Sequence, residues 1–432
     1  MTLARNDTGG SLSAIPGGGL LSSARVMLYA LLIVTPLARG SVEHWAVTLI
    51  HIITVAALTL VGLHCILRPR SGVWDVTPMG KPAAALIVLT AVSAAFSVYR
   101  PDSFQTFFLL VNYAAVFYLV IFTARDRRHL MRLVYVIIGV AVFLCVFGLV
   151  KKFGYNPFPW WNYPEIGSGN LASTYGNRDH LAGYLEMVIP LLMGILIADL
   201  TPVVRSFLLY LLALLLTTQI LTLSRGGWCA TAAALLFMAV VLITNRHYRR
   251  KKRLALFTGT IIFLVLVVSL NTSVVERILT MTEARQDTSM EGRIVAWKGC
   301  VAMISDHPLL GVGPGDFALA FTRYQPPGFD ERFTYAHNDY LQAISEDGLL
   351  LVPLVIWMLV VLYRRGFSKL KSSSRLVRGT TLGALSGITA ILVHSFVDFN
   401  LSIPANALLF MVLSAIVVVS VSQKERSRHR HA

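Results

Sequence analysis

Tyr335-Ala336-His337-Asn338-Asp339-Tyr340-Leu341-Gln342 is the core of the one long polar segment, Asn271 to Gly348, in an otherwise mostly apolar chain. A segment of that length between two membrane spans is uncommon unless it is disordered or functional. Its Trp297, Phe317, Phe321, Tyr324, Phe329, Phe333 and Tyr335 argue against disorder, because disordered chains are poor in aromatic residues. The segment is therefore expected to fold as a cap over a membrane domain. A histidine flanked by hydrogen-bonding side chains and preceded by arginines marks it as the place for chemistry.

Outward from this segment the chain is apolar. Of 432 residues, 55% are hydrophobic and 14% charged, with a mean hydropathy of +0.66. Soluble domains carry about 25% charged residues, so the chain reads as an all-α polytopic membrane protein. Apolar stretches of ~20 residues, the length that spans a bilayer, occur about 12 times, with the cap between spans 9 and 10. The resulting division is 1–23, a disordered cytoplasmic tail; 24–270, spans 1–9; 271–348, a mainly helical cap on the outer side; 349–422, spans 10–12; and 423–432, a basic cytoplasmic tail. The spans include Val26 to Ala38, Pro82 to Val98, Leu254 to Leu270, Thr380 to Phe399 and Pro404 to Val421.

The formal net charge is +16. Its distribution decides what it means: roughly 26 of the 38 Lys and Arg fall in the termini and alternate loops of one side, the positive-inside pattern. The basic residues face anionic membrane lipid and not nucleic acid, since no basic run is interleaved with aromatics in a folded context. Cys65, Cys145, Cys229 and Cys300 are scattered without a Cys-x-x-Cys pair, so no zinc site or disulfide framework is indicated.

Three polar clusters stand out. Gly176-Asn177-Arg178-Asp179-His180 precedes a span and reads either as capping or as part of a site. Ser224-Arg225-Gly226-Gly227 makes a tight outer turn, with Arg225 either snorkelling to the interface or fixed over an anionic head group. Glu291-Gly292-Arg293 opens a helix on which Ile294, Trp297, Val301 and Ile304 share a face that should lie on the membrane domain, ending at Asp306-His307-Pro308. Gly311-Val312-Gly313-Pro314-Gly315 lacks the Lys-Ser/Thr of a phosphate loop and reads as a turn. A histidine side chain can serve as a base in neutral water, and Asn338 or Asp339 is placed to orient the His337 ring or to bind a sugar; capping of the helix that follows is the competing reading. His394 and Asp398 lie four apart on one helix face, as a functional intramembrane pair or as a structural lock.

No Asp-x-Asp pair and no metal-ligand spacing of His or Cys is present, so neither metal nor cofactor is expected. The outer compartment also lacks nucleotide sugars, so a reaction there needs a donor that arrives activated. A lipid-linked diphosphate fits, because guanidinium groups meet its charge bidentately and stay protonated.

At these residues the sequence resembles the O-antigen ligase family, within the superfamily that also holds O-antigen polymerases and protein O-oligosaccharyltransferases. The resemblance runs from about Tyr175 onward, through Gly176-Asn177-Arg178, Ser224-Arg225-Gly226, Gly292-Arg293 with Trp297, the Pro308 to Gly315 turn, and His337-Asn338 with Glu346 and Gly348. It implies transfer of O-antigen from undecaprenyl diphosphate to the lipid A core oligosaccharide, on the periplasmic side of the bacterial inner membrane, without a cofactor. It further implies that His337 is the catalytic histidine and that Arg225, Arg293 and Arg178 bind the diphosphate, with Asn338, Asn177 and His180 in support. A polymerase shares the same plan, whereas protein O-oligosaccharyltransferases usually extend further past the last span. A lipid-linked glycan transporter is the non-enzyme alternative, though half-repeats and broken helices are not seen in the sequence.

Overall fold

The computed structural model describes residues 17–68, 77–156, 171–198, 200–244, 259, 288–327 and 332–419. The expected span at 254–270 apart from residue 259, the start of the cap at 271–287 and the C-terminal tail lie outside these residues. The described elements are helical, with no strand among them: α1 (Gly17–Leu37), α2 (His44–Leu67), α3 (Gly80–Ala95), α4 (Arg100–Thr123), α5 (Arg127–Lys152), α6 (Arg178–Leu196), α7 (Pro202–Leu221), α8 (Arg225–Thr244), α9 (Thr288–Asp306), α10 (Phe317–Ala320), α11 (Asp339–Asp347), α12 (Leu351–Lys369), α13 (Arg375–His394) and α14 (Pro404–Val418).

Among the described residues nine helices are long and apolar enough to cross a membrane: α1, α2, α4 to α8, α12 and α13. The expected count of about 12 is not reached among them. The helices found at the spans expected over 82–98 and 404–421, α3 and α14, have 16 and 15 residues. At 1.5 Å per residue each falls short of a hydrocarbon core of ~30 Å. At the other end of the chain, α1 begins at Gly17, inside the segment expected to be a tail, because Leu20 and Leu21 already continue its apolar pattern.

Local chemistry sets the helix starts. Asp126, Asn177, Thr201, Asn338 and Ser374 each accept a backbone N–H of the turn they precede, satisfying donors that have no partner within the helix. Pro101, Pro202 and Pro404 stand in first turns, where a missing N–H costs nothing.

α6 is the axis of the bundle, buried on every side from His180 to Leu196. α13 lies against it through Gly379, Gly383 and Gly387. A Cβ at these positions would collide with the backbone of Gly194, with that of Pro190 and Leu191, and with that of Met187. Small residues every fourth position let two helix backbones approach closely, the usual solution for packing inside a bilayer.

The described part of the cap has a hydrophobic core of its own, built from Ala296, Cys300, Met303, Val312, Phe317, Ala320, Phe321 and Ala336. The buried face of α9 therefore differs from the expected one. Ala296, Cys300 and Met303 point inward with Gly299 closed over the Phe321 ring, while Ile294 and Val301 are exposed. The expected stripe followed the large apolar residues, but small residues make the close contact. The glycine turn is a splice between cap and bundle. Val98 N–H donates to Val312 O, Gly313 N–H to Glu346 O and Tyr99 N–H to Asp316 Oδ2, at 2.8, 2.9 and 2.7 Å. Gly311 and Gly348 both have positive φ, and a Cβ on either would strike the backbone of the strip carrying the other.

Candidate functional site

The helix directions bring one set of ends together. The C-terminal ends of α3 and α13 and the N-terminal ends of α4, α6, α8 and α14 meet the cap or the segments joined to it. At the opposite end lie Arg25, Lys81, Arg125, Arg127, Arg128, Arg132, Arg205, Arg364, Arg365, Arg375 and Arg378. Arg25 there donates to the Thr123 carbonyl at 3.0 Å, which fixes the start of α1 against the end of α4.

His337 sits at the cap end, immediately before α11, with φ +50° and 38% of its side chain exposed. Left-handed backbone is uncommon for a residue with a Cβ, and it persists here because both flanks are tied down. On one side Trp297 Nε1–H donates to Ala336 O at 2.9 Å, and Ala336 N–H donates to Gln342 Oε1 at 2.9 Å. On the other, Asn338 caps α11 through Leu341 N–H and donates its amide to Phe396 O, both at 3.0 Å.

The partner of the imidazole is Asp398. Its Oδ1 lies 3.3 Å from His337 Nδ1, so the ring is oriented by a residue of the segment after α13 and not by Asn338 or Asp339. α13 ends at His394, short of the expected Phe399. The turn that follows aims the Asp398 carboxylate toward the cap instead of along the helix. Burial alone would push that carboxyl up, but the His337 hydrogen bond, with His394 and His180 nearby, holds it well below the usual carboxylate range. Asp339 clamps the same segment: Ser395 Oγ and Leu401 N–H donate to its Oδ2 at 2.8 and 3.0 Å. Burial pushes the Asp339 carboxyl up to about 7.

Phe399 is the hub of the aromatic packing. Tyr335 stacks on it at 4.1 Å, and the rings of His337 and His180 meet it edge-on at 4.8 and 5.0 Å. Two of the expected residues, His337 and His180, thus share one ring. Asn177 caps α6, accepting Asp179 N–H at 2.8 Å, with its amide 3.4 Å from His180 Nε2. The capping reading of that cluster is therefore met by Asn177, and His180 of the same cluster lies against the ring that His337 also meets. Arg178 lies 3.8 Å from Asp179.

Arg225 opens α8 and is half-buried. The following Gly226 is in close contact with the site, since a Cβ there would stand 2.6 Å from His394 Nε2 and 3.2 Å from Val397 Cγ2. The hairpin before it is pinned by Gln219, whose side-chain amide donates to Gly227 O and whose backbone carbonyl accepts the Trp228 indole N–H, both at 3.1 Å. Arg293 is less directly placed. It precedes Trp297 by one turn of α9 and so joins His337 through the indole bond to Ala336.

Sequence reasoning missed Glu186, Asn400 and Asn406, which are fully buried. Asn400 donates to Asp398 Oδ2 at 3.3 Å, and Asn406 bridges Asn400 Oδ1 and His180 O at 2.9 and 3.0 Å. A polar residue within an apolar run was the available signal. Among the described residues no group of three or more His, Cys, Asp or Glu is placed to hold a metal ion.

A family profile described as O-antigen ligase matches residues 210–356, about a third of the chain. That stretch holds Arg225, Arg293 and His337 and leaves Arg178, His394 and Asp398 outside it. The match is consistent with the O-antigen ligase family. No curated protein matches the chain.

Proposed function

We propose that the protein is an O-antigen ligase, transferring O-antigen from undecaprenyl diphosphate to a hydroxyl of the lipid A core at the periplasmic face of the inner membrane. The observation that carries this reading is the His337–Asp398 pair, half open to solvent at the end of the bundle away from the basic loops. Positive charge marks the cytoplasmic side of spanning helices, which supports a periplasmic location for the pair. A 12-span plan with the cap between spans 9 and 10 is part of this proposal; it takes α3 and α14 as short spans and reads the apolar sequence 254–270 as a further one.

In this reading Asp398 accepts the Nδ1–H of His337, which leaves the Nε2 lone pair to act as base. The acceptor hydroxyl gives its proton to Nε2 as its oxygen bonds the anomeric carbon. The bond from that carbon to the diphosphate oxygen breaks, and the diphosphate leaves with the electron pair. Attack opposite the departing group inverts the anomeric centre. Charge accumulates on the leaving diphosphate, where Arg225, Arg293 and Arg178 are proposed to bind it; cations placed in advance at that point lower the barrier. Asn338, Asn177 and His180 hold the surrounding turns. No metal or cofactor is needed in this scheme.

The test is purified protein in detergent with lipid-linked O-antigen and lipid A core, scored for conjugate on a gel. Conjugate formed by the wild type and lost in His337→Ala supports the reading. Glycan lengthened on its carrier would instead identify a polymerase, and glycan attached to protein an O-oligosaccharyltransferase. No covalent product in any arm, with the glycan moving between leaflets of a vesicle, would identify a transporter.

A further inference from the structure

The interface of α6 and α13 encloses a charged pair that the transfer chemistry above leaves unused. Glu186 on α6 is fully buried, and both of its oxygens approach His394 Nδ1, at 3.1 and 2.9 Å. His394, the last residue of α13, is 1% exposed. Removing two charges from solvent is costly, and such pairs are weak devices for stability alone. The other edge of the ring shows where it acts. His394 Nε2 lies 3.9 Å from Asp398 Oδ2 and faces the α-carbon of Gly226, next to Arg225. Carboxylate and imidazole therefore alternate from the interior to the open edge, in the order Glu186, His394, Asp398, His337.

We infer that Glu186 and His394 form a positioning pair for the transfer reaction, holding the Asp398 carboxylate against His337 and seating the start of α8 that carries Arg225. The inference rests on His337 being the base. His394 touches the base side of the site through Asp398 and the cation side through Gly226, so one ring sets the spacing between them. The charges also matter. An ionised Glu186 beside a protonated His394 is neutral as a pair, which leaves the negative charge of Asp398 facing the proton that His337 takes up. Asp179 and His180 on α6 are the further described groups that act electrostatically with His394, and Arg225 stands at the start of α8 next to Gly226. Asn400 adds a neutral contact, its amide 3.3 Å from His394 Nδ1.

The experiment measures single-turnover transfer from lipid-linked O-antigen to lipid A core against pH, with full-length protein in detergent. Glu186→Gln removes a negative charge, so the limb on which the base becomes protonated moves to lower pH. His394→Gln removes a positive charge, and the limb moves to higher pH. A charge within about 10 Å at an effective dielectric of about 20 is worth about one pH unit, and the plateau rates should fall about tenfold or more. Two limbs unmoved, or moved in the same direction, overturn the inference even when rate or yield is lost.

The double variant Glu186→Gln/His394→Gln removes both charges and keeps an amide pair. It covers the case in which a single variant does not fold: a plateau reduced about tenfold or more, at an unchanged thermal midpoint, supports positioning, and a full wild-type plateau overturns it. His337→Ala is run alongside. Retained transfer there would sink the base assignment itself, whereas loss of transfer there with unmoved limbs sinks the positioning pair alone.

Discussion

The indole of Trp297 donates to the carbonyl of Ala336 at 2.9 Å, so the helix that carries Arg293 is fastened to the residue immediately before His337. Replacing Trp297 by Phe keeps an aromatic ring and removes the donor, leaving the fully buried Ala336 with an unpartnered carbonyl. That loss costs about 1–3 kcal/mol. The variant is expected to purify with a lower thermal midpoint and to transfer glycan about tenfold more slowly, each 1.4 kcal/mol of misplaced cation being a factor of about ten. An unchanged rate at limiting donor would show that Arg293 is not held through this bond.

His337 combines a functional side chain with a left-handed backbone, and the two requirements can be separated. Asn adopts positive φ more readily than most residues, so His337→Asn is expected to melt close to the wild type while transfer falls by about 10²–10⁴, the usual worth of a general base. His337→Ala should lose as much activity and some stability besides. Thermal unfolding in detergent and the conjugate gel read the two effects independently. Transfer at the wild-type rate by the Asn variant would remove His337 from the chemistry.

Gly383 faces the backbone of Pro190 and Leu191 with no room for a side chain. Gly383→Leu forces α13 away from α6, a strain of about 1–3 kcal/mol or more, and should lower both the monodisperse yield and the thermal midpoint. Ile356→Ala on α12, where the side chain is 56% exposed, serves as the comparison and is expected to change neither. Equal behaviour of the two variants would mean that the α6–α13 contact does not limit stability.

These contacts also show what could be read from the sequence. Helices and most spans follow from apolar length, and His337, Arg225 and Arg293 announce themselves as polar residues in glycine-rich or aromatic surroundings. Asp398 was visible but was assigned to a continuous helix, because hydropathy does not register the turn after His394. Glu186 sits in a span that is apolar on all faces, and nothing local says that α13 brings a histidine to it. The four-residue spacing of Gly379, Gly383 and Gly387, which the sequence reading passed over, is compatible with a close helix neighbour but does not name it. On α9 the large residues Ile294 and Val301 drew the expected face, whereas Ala296, Gly299 and Cys300 make the contact. Periodicity reports where apolar residues recur, and packing depends on which of them are small enough to close.

Glu346 and Asp347 end α11 at the splice between cap and bundle, and burial pushes the carboxyl of each up to about 7. Glu346 Oε1 accepts Gln342 Nε2–H and Phe317 N–H at 3.1 and 3.3 Å, contacts that a neutral side chain of the same shape can keep. An acid whose folded-state pKa lies above its unfolded value of about 4 holds its proton more tightly in the fold. Its contribution to stability is therefore complete below about pH 4 and is lost as the pH rises through about 7. Asp398, held low, works in the opposite sense, and its contribution disappears only as the pH falls below the unfolded carboxylate range. Between about pH 8 and pH 5 the combined effect of Glu346, Asp347 and the likewise raised Asp339 dominates, so the thermal midpoint in detergent should rise as the pH is lowered across that window. Glu346→Gln should flatten the rise and melt above the wild type at pH 8. Parallel melting curves for the two proteins across the window would mean that the Glu346 carboxyl is already ionised in the folded splice and that burial there is relieved by water.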